Sequence, residues 1–126
     1  MRYVLLIYRD EALADAARDQ RAIESHVAMA REAVSRGAYL SSNALQPTVA
    51  GTTVRVREGR TILSDGPFAD TKEALAGYYL LDCEDLDDAI HYAERIPASW
   101  EGSVEVRPVN ELPGWDEAIG LGARTP

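Results

Sequence analysis

Residues 2–8 read RYVLLIY, a run of β-branched, aromatic and aliphatic side chains with almost no polar alternation. Residues 77–82 read GYYLLD and contain a second run of this kind. A strand that is apolar on both sides is typical of a central strand whose two faces are both covered. The first run therefore predicts a central strand and the second run another buried strand, and their sheet has to bury both of its faces.

Two helices are predicted beside these strands. The first runs from about Ala14 to Arg36 and ends at Gly37, which supplies the left-handed stop that helices commonly use. Spacing residues at 100° gathers one apolar stripe on it: Ala22, Ile23, His26, Val27, Ala30, Ala33 and Val34. The second helix runs from about Asp85 to Ile96, before Pro97, and its predicted apolar face is Leu86, Ala89, Ile90, Ala93 and Ile96.

The remaining segments complete an α+β pattern. Strands are predicted at residues 39–45 and 103–107, and a hairpin at 52–57 and 60–64 turns at Gly59. Residues 70–73 read DTKE, a capping box that predicts a short helical turn. The order β-α-β-hairpin-β-α-β, with right-handed crossovers, predicts a ferredoxin-like α+β sandwich with an extra hairpin and both helices on one face of the sheet.

Residues 1–109 are expected to form one domain, and residues 110–126 a Gly- and Pro-rich tail that is partly docked through Leu112, Trp115, Ile119 and Leu121. Two helices on one face leave the other face of the sheet uncovered. A second copy packed across a twofold axis is the simplest cover. The sequence therefore predicts a homodimer joined through its sheet faces.

Composition narrows the classes of partner. The 126 residues include 21 acidic and 13 basic side chains, for a formal net charge of -8, which repels nucleic acids and anionic lipid surfaces. No apolar run approaches the ~20 residues of a membrane span, and residues 2–8 resemble a strand rather than a signal peptide. The single Cys83 fits a reducing compartment. We expect a cytoplasmic protein without nucleic-acid or membrane partners.

His26 is the sharpest anomaly, because a titratable ring lies on the apolar stripe of the first helix. It is either a core histidine bonded to a backbone carbonyl or an acid/base group with a carboxylate partner. His91 falls on the polar side of the second helix and is expected to be a surface residue. With two histidines and no clustered ligands, no metal and no cofactor are predicted.

The turn at residues 65–68, which read DGPF, offers the second candidate. Asp65 is either a local cap of the turn or an acid/base carboxylate on a rigid loop tip. Pro67 is expected to fix the backbone so that Phe68 is buried. Lys72 is either solvated or a ligand for an anionic group. Cys83 has acidic neighbours that disfavour the thiolate, so it is not expected to be a nucleophile.

Residues 64–73, SDGPFADTKE, look like the signature of the DGPF proteins, a branch of the YCII-related family. The resemblance extends from Met1 to about Val109. It implies a ferredoxin-like protomer that pairs into a dimeric α+β barrel and, in a few members, action on small chlorinated or unsaturated organic acids through a His-Asp pair. His26 lies where the family histidine would fall. The family aspartate precedes a proline near the end of the second helix, where this chain has Ile96.

The resemblance therefore suggests a small-molecule-binding protein that does acid/base chemistry on a small organic acid. His26 and Asp65 are its expected catalytic pair. Phe68, Lys72 and Tyr8 are its expected substrate-binding residues. The alternative that the resemblance implies is a non-catalytic, ligand-sensing or regulatory partner in extracytoplasmic-function sigma factor signalling.

Overall fold

The structure, a computed structural model, describes residues 1–69 and 71–122 of the chain. Its strands are β1 Arg2–Arg9, β2 Tyr39–Ala44, β3 Thr52–Arg57, β4 Arg60–Asp65, β5 Ala74–Asp82 and β6 Ser103–Pro108. Its helices are α1 Ala16–Ser35, α2 Leu86–Ala93, α3 Ala98–Glu101 and α4 Trp115–Ala118. Short 3₁₀ turns lie at Glu11–Leu13 and Thr48–Ala50.

Four strands form an antiparallel sheet in the order β2-β5-β1-β6. The first run, predicted to be central, and the second, predicted to be buried, are its two inner strands. This order and the two helices that connect it confirm the predicted ferredoxin-like α+β fold. The predicted hairpin is also confirmed: β3 and β4 pair only with each other among the described strands. Its two-residue turn has positive φ at both Glu58 and Gly59, the geometry that matches strand twist.

The core lies between the sheet and helices α1 and α2. Alternate residues of the inner strands point to it, and one cluster joins them to the helices; its largest fully buried members are Tyr92, Leu5, Met29, Leu81 and Ile96. Burying one such apolar side chain contributes about 1.5–3 kcal/mol. On the other face of the sheet the apolar side chains of Val4, Leu6, Tyr78 and Leu80 are only half-buried.

The predicted apolar stripe of α1 was correct along one edge and wrong along the other. Ile23, Val27 and Val34 are 54%, 44% and 61% exposed, whereas Ala33 of the predicted stripe is fully buried together with Met29, which the prediction omitted. The sheet covers only one side of the helix, and Met29 and Ala33 on that side lie about a third of a turn from the centre of the exposed ridge. The same shift occurs in α2, where Leu86 and Ile90 are exposed and Tyr92, which the prediction omitted, is buried.

Two local predictions around the DGPF turn were also wrong. Phe68 is 80% exposed rather than buried. The reason is that none of the described residues between Ala38 and Tyr79 belongs to the buried core, so they form no core that could enclose an aromatic ring. The predicted helical turn involves Asp70, which lies outside the described residues; Thr71 to Glu73 are not helical and lead directly into β5, which starts earlier than expected.

The tail folds back over the open face of the sheet. Its helix α4 and neighbouring residues line an open cleft of about 920 Å³ with Arg2, Leu80 and Asp82. The Arg2 guanidinium forms a bidentate pair with Glu111, and this pair anchors the start of the tail. The apolar residues that were expected to dock it, Leu112, Trp115, Ile119 and Leu121, all remain half-exposed or more. Residues 123–126 lie outside the described part of the chain.

Candidate functional site

His26 lies in the middle of α1, on the side that faces the four-stranded sheet. Its ring is half-buried, and its Nδ1 atom lies 2.8 Å from the hydroxyl of Tyr79 on β5. The two rings stack with their centroids 5.8 Å apart and their planes 20° from parallel. Because both the hydrogen bond and the stacking fix the ring, His26 is held in one orientation against the sheet.

Burial sets the protonation state of this pair. Desolvation lowers the pKa of His26 below its ordinary value. Desolvation also raises the pKa of Tyr79 to about 12, helped by the neighbouring Tyr39 phenol. Both groups are therefore neutral at pH 7. The hydroxyl of Tyr39 is itself held by Ser42 Oγ at 2.6 Å, so a second polar pair lies beside the first.

The hydrogen bond is compatible with two tautomers of the imidazole. If Tyr79 donates to Nδ1, then Nε2 carries the ring proton and can only donate. If Nδ1–H donates to the Tyr79 oxygen, then Nε2 has a free lone pair and can accept a proton. The second arrangement is the one a general base requires.

Asp65, the expected partner of His26, is the last residue of β4 and is exposed. Among the residues that the structure describes, no hydrogen bond or ion pair joins it to His26. Its turn is held instead by backbone contacts of Gly66, which donates to Gly51 O at 2.7 Å and accepts from Thr53 Oγ1 at 3.0 Å.

The other three predicted site residues lie apart from His26. Tyr8 is on the opposite face of the sheet, where its hydroxyl lies 3.4 Å from a Glu105 carboxylate oxygen. Lys72 is exposed and borders a small pocket of about 130 Å³ with Glu11 and Thr48. Phe68 points into solvent. Within the described residues none of the three forms a hydrogen bond or a ring contact with the imidazole, so they do not form a single site with it.

His91 was expected at the surface, and Cys83 was not expected to be a nucleophile. His91 is exposed, and its Nε2 lies 3.1 Å from the Glu32 carboxylate. Cys83 is buried, and desolvation raises its pKa to about 11, so the thiol stays protonated at neutral pH. Across residues 1–69 and 71–122, no cluster of three or more His, Cys, Asp or Glu side chains is arranged to hold a metal ion.

Tyr79 is the site residue that the sequence analysis missed. The signal was present in the adjacent pair Tyr78 and Tyr79, because neighbouring residues of a strand point to opposite faces. Only one of the two can face α1, and the burial pattern along β5 shows that it is Tyr79. Tyr78 faces the other way, where its hydroxyl accepts a hydrogen bond from Asn43 Nδ2 at 2.9 Å.

Comparison with known proteins identifies the family of the chain. The YCII-related domain family matches residues 1–113. The chain belongs to the YCII-related family. This YCII-related protein is also 40% identical, over 116 residues, to the uncharacterized protein R00369 of Rhizobium meliloti (strain 1021), an alignment that covers 86% of this chain and 92% of that protein. The matched span includes both His26 and Tyr79 and continues past the last strand of the sheet.

No helix within the described ranges of the YCII-related protein combines the length and apolarity needed to cross a membrane.

Proposed function

We propose that this YCII-related protein binds a small organic acid beside His26, and that the His26–Tyr79 pair carries out acid/base chemistry on it. The observation that carries the proposal is the 2.8 Å hydrogen bond between a half-buried imidazole and a buried phenol, both neutral at pH 7. A lowered pKa keeps His26 unprotonated, which is the form that accepts a proton.

In the proposed step, Nδ1–H donates to the Tyr79 oxygen and Nε2 takes a proton from the bound acid's reacting carbon or hydroxyl. The imidazole becomes an imidazolium, and the electron pair stays on the ligand. Tyr79 acts as a positioning residue, because its hydroxyl fixes the ring orientation and tautomer. The carboxylate of the ligand stabilises the imidazolium, since a nearby negative charge favours the charged form of histidine.

The experiment is an NMR titration of His26 with chloroacetate and with crotonate, which represent chlorinated and unsaturated acids. The pKa of His26 should rise when either acid binds. Tyr79→Phe should weaken binding, because the imidazole loses the hydrogen bond that fixes its orientation. Tyr78→Phe is the matched control, because it removes a hydroxyl from the opposite face of the same strand. An unchanged His26 pKa at saturating concentrations of both acids would overturn the proposal.

A ligand sensor without turnover is the second candidate, and the desolvated imidazole favours it, because a base with a lowered pKa is weaker. Incubation with each acid followed by mass spectrometry separates the two. An enzyme yields product that His26→Ala abolishes without unfolding the protein. A sensor, such as a partner in sigma factor signalling, shows the His26 pKa shift with no product.

Asp65 enters the proposal as a carboxylate supplied by a second protomer, the arrangement left open by its position on an exposed turn. A carboxylate near His26 favours the imidazolium, so Asp65→Asn should lower the pKa of His26 in the assembled protein. An unchanged His26 titration in that variant would remove Asp65 from the site.

The finer assignments belong to the same proposal. The DGPF sequence at residues 65–68 supports the DGPF branch of the family. The half-buried apolar side chains on the open sheet face support a homodimer joined through that face as a dimeric α+β barrel. Sedimentation that shows a monomer at micromolar concentration would contradict the dimer. The single reduced, buried thiol supports a cytoplasmic location, which cell fractionation tests.

A further inference from the structure

The β3–β4 hairpin carries a basic face in an acidic protein. Arg55, Arg57 and Arg60 lie on one side of it, because strand residues two apart share a face and Arg57 is the register partner of Arg60. Without these three arginines the formal net charge of the chain would be -11 rather than -8. Within the described residues none of the three forms an ion pair with a carboxylate.

The pairing of Arg57 with Arg60 is unfavourable as it stands. Like charges directly opposite each other on neighbouring strands destabilise a hairpin, and both side chains are exposed at its tip. The hairpin has no compensating core, because its other face presents Val54, Val56 and Leu63 to solvent. An isolated two-stranded hairpin is marginal in water. An anionic surface packed on the arginines would relieve the repulsion.

The chain itself offers such a surface at the start of α2. Residues 82–88 read DCEDLDD, with five carboxylates in seven residues. Three of them have local partners: Asp82 pairs with the N-terminal ammonium, Asp85 caps α2, and Asp88 pairs with Arg36. Glu84 and Asp87 are exposed and form no ion pair with the described residues. The facing pair Arg57 and Arg60 on the hairpin can thus be matched by two carboxylates, those of Glu84 and Asp87, which lie beside the exposed Leu86.

We infer that the arginine face of the hairpin is a docking surface for a second copy of this chain, which presents its acidic segment at residues 82–88. In a twofold arrangement each copy gives one hairpin and receives one, so the contact forms twice. A nucleic acid is a poorer occupant, because the rest of the chain would repel its phosphates. The contact is electrostatic and lies outside the four-stranded sheet, so it is distinct from pairing through the sheet face.

The test is sedimentation equilibrium of the full chain at about 50 mM and about 500 mM NaCl, concentrations at which surface charges are weakly and strongly screened. Self-association of the wild type should weaken by about tenfold at the higher salt. Arg57→Glu with Arg60→Glu should remove this salt-sensitive step. The reversal preserves a like-charge pair across the hairpin, and circular dichroism verifies the fold.

The matched control is Arg21→Glu with Arg31→Glu, which makes the same charge change at two exposed positions of α1 and should keep the salt-sensitive step. Glu84→Arg with Asp87→Arg should lose it, and mixing that variant with the hairpin variant should restore association. The inference is overturned if the wild type shows no salt-sensitive association, if the hairpin variant associates like the control, or if the mixture stays apart. Association through the sheet face alone would persist in every variant and at both salts.

Discussion

The hydrogen bond between His26 and Tyr79 makes a quantitative prediction for a double-mutant cycle. The cycle combines His26→Ala, Tyr79→Phe and the double variant, with the free energy of unfolding measured in urea. Tyr79→Phe keeps the ring that stacks on the imidazole, so the cycle isolates the hydroxyl. A hydrogen bond of 2.8 Å between half-buried neutral groups should give a coupling of about 1 kcal/mol.

The same loss should appear in thermal unfolding. For a chain of 126 residues, 1 kcal/mol corresponds to a decrease in melting temperature of about 4 °C. Tyr78→Phe is the control, because its hydroxyl bonds Asn43 at an exposed position where water can replace the partner. Its effect should stay within about 0.5 kcal/mol. The reasoning fails if the coupling is near zero or if the two tyrosine variants lose the same stability.

Three further predictions follow from single residues. Because folding lowers the pKa of His26, the unfolded chain binds a proton at this residue first as the pH falls, so stability is lost from about pH 6.5 down to the folded pKa. In urea unfolding, the free energy of unfolding of His26→Gln should fall less steeply with decreasing pH than that of the wild type. Parallel plots of this free energy against pH would contradict the prediction. Gly77→Ala should cost about 1–3 kcal/mol, because a Cβ there would lie 2.7 Å from the backbone oxygen of Asn43; an unchanged urea midpoint would show that β2 moves freely. Cys83 should resist a thiol reagent at pH 8 in the folded protein and react after unfolding, since its pKa is raised to about 11; equal rates would mean that the thiol is accessible.

The fold followed from the sequence because the strand runs, the two long helical patterns and the hairpin turn agreed with one topology. The face of each helix did not follow, because helical spacing cannot choose between two adjacent apolar ridges. In α1, the ridge of Ile23 and Val27 is as apolar as the line that contains Met29, and only the position of the sheet selects the second. Phe68 shows the same limit, since an aromatic residue in a rigid turn is buried only if a core lies beneath it.

The sequence pointed to one of the two residues of the candidate site. His26 stood out because a titratable residue interrupted an apolar helix face. Its structural partner is 53 positions away on a strand, and nothing in the local pattern joins the two. The expected partner, Asp65, was chosen for its carboxylate, whereas the structure places the phenol of Tyr79 beside His26. Pairing across the fold depends on strand register, and register is set by tertiary packing.

The insertion of the hairpin between β2 and β5 bears on the order in which the chain folds. These strands are neighbours in the sheet, and the Leu45 amide donates to the Ala76 carbonyl at 2.8 Å. The long segment between the two strands therefore leaves the sheet and returns to it at the same place. Among its described residues, this segment contributes none to the buried core. We expect the sheet and helices to pass the rate-limiting barrier before the hairpin is ordered. Substitutions such as Val54→Ala should then leave the folding rate unchanged, and any loss of stability should appear in the unfolding rate.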